Sequence, residues 1–436
     1  MSAEATSAVE FKRKERMSAM TTDGIVIDDW AAPRYSPEAR AILNEVALSA
    51  PSVCLTPRAI LEAARAQTVL DNFGEDNFTE PLDRLCAALE RDVTLSAAGR
   101  AFAFGMLVRL ASNRLRIEDL IDRQPEILDI EIDRPIFIVG LPRTGTSHLT
   151  NLIAADPQMR SQRLWESLEP VPPEDEASGD DDPRLARAAQ MWGLIDAVLP
   201  YQKSLHEMSP DQVHEDIELL GLTFRSPVFE AMLGPVRTYT DWKRSTDQTV
   251  AYRYVKRALQ VMQHLRGGKR WVLKSPGHLE HLRELHEVFP DAITVFTHRD
   301  PVTITKSCVT METYLTRLGL ECPDPVAVGG YWSQRCEEFM RAAVDNRTAI
   351  PAEQSLDVKF HDFMADELGT VQRVYDLAGL VLDEDARNAM NSHREAHSRE
   401  KHGRVKYDLK PFGLNAGERR RTLQFYAERF DLGAEN

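Results

Sequence analysis

The chain has no long apolar run. Across its 436 residues nothing approaches the roughly 20 consecutive apolar positions that a bilayer-spanning helix needs, which excludes such a span. The opening stretch MSAEATSAVEFKRKERMSAM is polar, mixed in charge and without an apolar centre of signal-peptide length. Residues 1–35 are therefore expected to be a disordered tail and the protein to be cytoplasmic. Cysteine is scarce. Cys54, Cys86, Cys308, Cys322 and Cys336 are odd in number and form no CxxC pair, so free thiols in a reducing compartment are the simplest reading. An excess of positive charge is missing too: the formal net charge of −15 argues against nucleic acid or anionic membrane as a general partner, yet leaves room for a local cationic pocket. No repeat of fixed period stands out.

With 43% hydrophobic residues the chain can bury a large core. Residues 36–130 are helical in pattern. Ser36-Pro37 and Thr56-Pro57 read as cap-plus-proline starts, and Leu95 to Leu115 carries apolar residues at helical spacing. Three or four helices are expected there, packed on the core, with a share of an acceptor pocket or a homodimer surface as their alternative role. From residue 131 to 436 short apolar strands alternate with helices, which predicts an α/β three-layer domain around a central parallel sheet.

The densest signal is RPIFIVGLPRTGTSHL, residues 134–149. Pro135 to Val139 is a β-prone apolar run, Gly140 and Gly145 bracket a tight turn, and Thr146 to Ala155 has helical character. Strand, glycine-bracketed loop and helix N-terminus together make an anion cradle, because the backbone N–H groups and the helix dipole both favour negative charge. The spacing follows the phosphate-loop pattern of nucleotide triphosphatases, but Thr146 stands where their lysine should be, and the nearest cation is Arg143, inside the loop. A second block from Arg270 to Val309 holds two strand-like runs, Trp271–Leu273 and Ala292–Thr297, around an amphipathic helix, a βαβ unit. Its strands end at Lys274 and at Arg299, with Ser307 eight residues further on.

In these motifs the sequence resembles the sulfotransferases that use 3′-phosphoadenosine-5′-phosphosulfate, over about Pro135 to Gly379. Pro142, Arg143, Thr144, Gly145, Thr146 and Ser147 fill the places of that family's phosphosulfate loop in order. The resemblance implies that Arg299 and Ser307 bind the donor's 3′-phosphate, a guanidinium supplying two parallel donors and a hydroxyl a third. His148 takes the place of a residue stacking on adenine, and Arg404, with Lys406, that of a late basic lid. It also implies in-line transfer of a sulfuryl group to a hydroxyl or amine of a small-molecule, lipid or sugar acceptor, without a metal. Arg143 and Lys274 are then the cations of the catalytic centre.

The general base stays open between His278 and Glu215. Proline stands where the cytosolic branch places its histidine, and His278 lies two residues beyond it. Glu215 sits in a segment where Ser209-Pro210-Asp211-Gln212 resembles a capping box, which predicts a helix to about Phe224. His206 and His214 are lesser candidates. The rival readings are a kinase or nucleotide hydrolase of the same loop class and a non-catalytic nucleotide-binding module. Further expectations are an exposed acidic excursion over Glu174–Asp182, a helix over Val326–Arg347, a strand over Ser355–Phe360 and a helix over Asp362–Leu377. Trp242, Tyr314 and Trp332 are candidates for the acceptor pocket or for the core. His393, His397 and His402, near surrounding cations and with no cysteine, do not read as a zinc site.

Overall fold

The computed structural model describes residues 24–173, 176, 182–397 and 403–435. Residues 1–23 of the expected tail, most of the acidic excursion and His402 lie outside them.

Five parallel strands form one sheet: β1 (Ile136–Val139), β2 (Met159–Arg160), β3 (Arg270–Lys274), β4 (Ile293–His298) and β5 (Ser355–Lys359), in the order β2-β3-β1-β4-β5. β1 lies at the centre, with Ile136 opposite Val272 on one side and Ile293 on the other. The βαβ crossover read from the sequence therefore passes over β1 rather than joining neighbours. β1, β3 and β4 are buried throughout, as strands covered on both faces must be.

Alternation along β1 divides the core into two layers. Ile136 and Ile138 pack with Leu149, Leu152, Val371 and Val374. Phe137 and Val139 point the other way, into the cluster that holds Leu107, Leu110, Val255 and Phe289. The N-terminal helices Pro57–Thr68, Thr79–Arg91 and Ala97–Arg123 belong to this side, whereas Pro37–Ala47 packs through Ala39, Ile42 and Leu43 in a separate cluster with Trp165 and Trp192. Ser36, Thr56 and Ser96 cap three of these helices by accepting the backbone N–H three residues on, the first two as the cap-plus-proline pattern anticipates. The fourth helix shares one apolar cluster with the sheet, since Leu107, Leu110 and Leu115 are fully buried against it.

Three local expectations need correction. Gly24–Tyr35 packs on the body: Ile25 and Ile27 are buried, and Arg317 pairs with Asp29. Ile25 forms a parallel bridge with Val405, its N–H donating to the Arg404 carbonyl at 2.8 Å while the Lys406 N–H donates back at 2.9 Å. The helix expected from Asp211 is reduced to Ile217–Gly221. Its first residues instead bond to a neighbouring segment, Leu164 N–H donating to the Gln212 carbonyl and His214 N–H to that of Gln162, so a long-range ladder overrides the capping signal. The helix expected over Asp362–Leu377 is two, Phe360–Ala365 and Glu367–Ala378. Asp366 leaves helical geometry between them and caps the second through the Gly369 N–H.

Gly140 is where the chain leaves β1 for the loop. A Cβ there would lie 2.2 Å from Thr297 Oγ1 and 2.9 Å from Thr144 Oγ1, which no side chain tolerates. Gly140→Ala should lose about 1–3 kcal/mol of stability in denaturant titrations, the usual cost of overpacking; an unchanged midpoint would mean that the loop accommodates the methyl group freely.

Candidate functional site

The loops leaving β1, β3 and β4 lie at the carboxyl edge of the sheet, where open parallel sheets bind ligands. They open onto a cavity of about 1530 Å³. Gly140 to Arg143 and Gly145 to His148 line it, along with Arg299, Ser307 and Arg404. Thr144 does not reach it. It is fully buried and bonds to Thr297 Oγ1 (2.6 Å) and the Leu141 carbonyl (2.7 Å), so it supports the loop from behind.

Gly145, at φ 95°, is the N-cap of the helix Thr146–Ala154 and packs against Phe360 and Phe363. Arg143 stands at φ 73°, a left-handed conformation that costs a non-glycine residue about 1–2 kcal/mol and concentrates at ligand sites. Its guanidinium donates to the Leu205 carbonyl at 3.3 Å. Arg299 donates to the Arg143 carbonyl at 3.0 Å and lies over the Phe360 ring. The same guanidinium holds Glu435 through two parallel bonds, Nε to Oε1 at 2.9 Å and Nη2 to Oε2 at 2.7 Å. His361 also meets Glu435, at 3.0 Å. A carboxylate thus sits in the bidentate position on Arg299 that an anionic ligand would take. His148 lies 3.0 Å from a Glu367 carboxylate oxygen and beside Phe363, so its ring already has a carboxylate neighbour as well as an aromatic one.

Lys274 closes β3. Its Nζ donates to Ser147 Oγ at 3.1 Å and pairs closely with Glu215, so one ammonium ties the end of β3 to the loop helix and to the segment between Gln212 and Asp216. Burial opposes ionisation of Glu215 and is the largest single effect, but the charge and hydrogen bond of Lys274, with the neighbouring His206 and His214, together hold the carboxyl below its ordinary value. Two imidazoles stand close by. Burial pushes His206 down to about 4 and His214 down to about 3, and the Lys274 charge adds to both shifts.

Both histidines are therefore neutral at physiological pH. Unfolded imidazoles take up protons near pH 6.5, so between that value and about pH 4 the unfolded chain binds more protons than the folded one. Their contribution to stability is present above pH 6.5 and is lost as the pH falls toward 4. NMR titration should find both rings neutral at pH 5.5; a ring protonated near pH 6.5 would refute the assignment.

His278 does not join this group. The Pro276-Gly277 turn enters the short helix Pro276–Glu280, which rolls the ring inward. It is fully buried, bonded to Asp216 Oδ2 and the Tyr252 hydroxyl at 2.9 Å each, and edge-on to Phe137. Glu215 and Asp216 are consecutive and face opposite ways, the first into the cavity and the second toward His278. Of the two candidate bases, Glu215 alone reaches the cavity.

The rest of the cavity wall is largely apolar, with Met106, Met191, Trp192, Met232, Met311 and Phe339 among it. Trp332 lines it, whereas Tyr314 is buried in the core and Trp242 packs against Tyr239. Glu230, Glu312 and Glu435 also line it and carry no sequence signal of their own.

Residues 135–384 match the sulfotransferase family, and the chain belongs to it. Among curated relatives it is similar to omega-hydroxy-beta-dihydromenaquinone-9 sulfotransferase Stf3 of Mycobacterium bovis and of Mycobacterium tuberculosis, at 24% identity over 267 residues. That alignment covers 57% of this chain and 63% of each relative, so the chain spans less than two thirds of their length. Among solved structures it is similar to sulfotransferase STF1 from Mycobacterium tuberculosis H37Rv (29% identity, TM-score 0.73, 86% of this chain and 97% of that one). It is likewise similar to sulfotransferase STF9 from Mycobacterium avium (25% identity, TM-score 0.78, 88% and 98%). No helix among the described residues is long and apolar enough to cross a membrane.

Proposed function

We propose that the protein transfers a sulfuryl group from 3′-phosphoadenosine-5′-phosphosulfate to a hydroxyl of a large, mainly apolar acceptor. The observation that carries this reading is the meeting of the Arg143 loop and Arg299 on one cavity at the sheet edge, with Lys274 just behind that wall and bonded to Ser147 and Glu215, which line it. The donor set suits such a co-substrate: a helix N-terminus with Thr146 and Ser147, three cationic side chains, and an arginine already gripping a carboxylate bidentately. When bound, the co-substrate supplies the activated sulfuryl group and an adenosine bisphosphate leaving group.

The side chains divide the remaining work. Arg143 and the loop N–H groups hold the anion, Arg299 and Ser307 take its 3′-phosphate, and Lys274 neutralises charge on the departing side. Lys274 is shared between Ser147 and Glu215 in the free protein. An anion that draws the ammonium away leaves Glu215 free to accept the acceptor's proton. The methionine-rich wall favours an apolar alcohol, and the name of the Stf3 relative, an omega-hydroxy-beta-dihydromenaquinone-9 sulfotransferase, points the same way.

Calorimetric titration of adenosine 3′,5′-bisphosphate without magnesium, against 5′-AMP and ATP with magnesium, tests the reading. Binding that needs the 3′-phosphate and not the metal is expected. Preference for ATP with magnesium would overturn the reading in favour of a kinase or hydrolase.

A further inference from the structure

The helix Pro301–Leu315 runs along the cavity and contributes Thr303, Ser307, Met311 and Leu315 to its wall at turn-like intervals. It starts beside Arg299 at the anionic end. Glu312 follows Ser307 by five residues, about 7.5 Å along the helix axis, and also lines the cavity. Its side chain is 5% exposed, and Oε2 has no hydrogen-bond partner among the described residues.

A buried polar atom without a partner is uncommon in a folded protein and calls for a reason. The neighbouring Glu230 shows what a structural carboxylate looks like here. Arg335 grips it from two nitrogens, and the Tyr331 and Thr240 hydroxyls bond to it as well. Arg335 is committed to Glu230, Glu280 and Glu338, and among the described residues no ion pair reaches Glu312. Burial and the nearby charge of Glu230 push the Glu312 carboxyl well above its ordinary value, in the direction that favours the neutral acid, a form that can both donate and accept.

We infer that Glu312 is an acceptor-recognition residue: its carboxylic acid hydrogen-bonds a neutral second oxygen, a hydroxyl or carbonyl, on an otherwise apolar alcohol acceptor. The inference rests on the transferase reading above. A site that holds a polar group out of water rejects ligands that leave it unpaired.

The test uses the full chain as wild type, Glu312→Gln and Glu312→Leu. Each is first titrated with adenosine 3′,5′-bisphosphate, then assayed on linear α,ω-diols against 1-alkanols of the same lengths and on sterol alcohols with and without a ketone. Wild type should favour the oxygen-bearing member of its best pair by about tenfold in kcat/KM, mainly through KM, the scale of one neutral hydrogen bond. Glu312→Leu should lose that preference while binding the bisphosphate as before, with a Tm equal to or above wild type, since it removes an unsatisfied group. Glu312→Gln, neutral and still able to donate, should keep most of the preference.

A Glu312→Leu variant that still discriminates, or that unfolds more readily, overturns the inference, as does a Glu312→Gln variant that fails as fully as the leucine. If the wild type binds no bisphosphate, the transferase reading fails first. If it binds the bisphosphate and turns over alcohols with no preference in any pair, only the role of Glu312 falls.

Discussion

Replacing Lys274 by alanine is expected to lower kcat about 10²- to 10³-fold, the usual loss when a preorganised charge at a reacting centre is removed. Lys274 is buried at the end of β3 and bridges Ser147 and Glu215, so its charge is fixed at that point. The variant should also unmask Glu215. Without the ammonium the buried carboxylate loses the interaction that depresses its pKa, and desolvation raises it. The residual activity should therefore rise with pH through a window above the ordinary carboxylate range, where the wild type is already flat. Steady-state kinetics across pH, with bisphosphate affinity as the control, read both effects. A kcat within tenfold of wild type would show that Lys274 only braces the loop.

The second large effect belongs to Arg299. Arg299→Ala should weaken adenosine 3′,5′-bisphosphate about a hundredfold, since it removes a bidentate, charge-assisted pair. Glu435→Gln should act in the opposite direction. In the free protein the Glu435 carboxylate occupies Arg299, and a ligand must displace it; the apparent affinity is reduced by the fraction of molecules so occupied. Both side chains are largely buried, 18% and 15% exposed, so the pair is more than a solvated surface contact. Removing the competing charge should tighten bisphosphate binding about five- to tenfold, the mass-action counterpart of a weak internal competitor. Weaker binding by Glu435→Gln would mean that Glu435 belongs to the ligand site. Unchanged affinity in Arg299→Ala would detach the 3′-phosphate from this arginine altogether.

Much of the framework was readable because it depends on short-range pattern. PIFIV between an arginine and a glycine can hardly be anything but a buried strand, and Lys274 and Arg299 announce themselves as strand-end cations. The strand bounds came within a residue or two: Ser355–Lys359 against 355–360, and Ile293–His298 against 292–297. What failed was set by distant partners. The capping box at Ser209 is locally sound, but the ladder to Gln162 and Leu164 outbids it, and this extended path is what brings Glu215 beside Lys274. His278 is two residues past a proline, and only the direction of the turn decides that it bonds Asp216 instead of facing the cavity. Glu435 meets Arg299 across 136 positions, and Glu312 is one acidic residue in an ordinary helix. No spacing rule connects such residues before the fold does.

The parallel bridge between Ile25 and Val405 has a kinetic consequence. Gly24 and the Gly403–Asp408 segment both border the cavity, and among the described residues two backbone bonds fasten them to each other. Segments so far apart in sequence pay a large loop-closure entropy, so they join late in folding and part early in native-state opening. The Ile25 and Lys406 amides should then exchange with solvent hydrogen as one unit, well before those of β1. Under the transferase reading proposed above, that shared opening would widen the cavity wall while the sheet edge, and the charges fixed along it, stay in place.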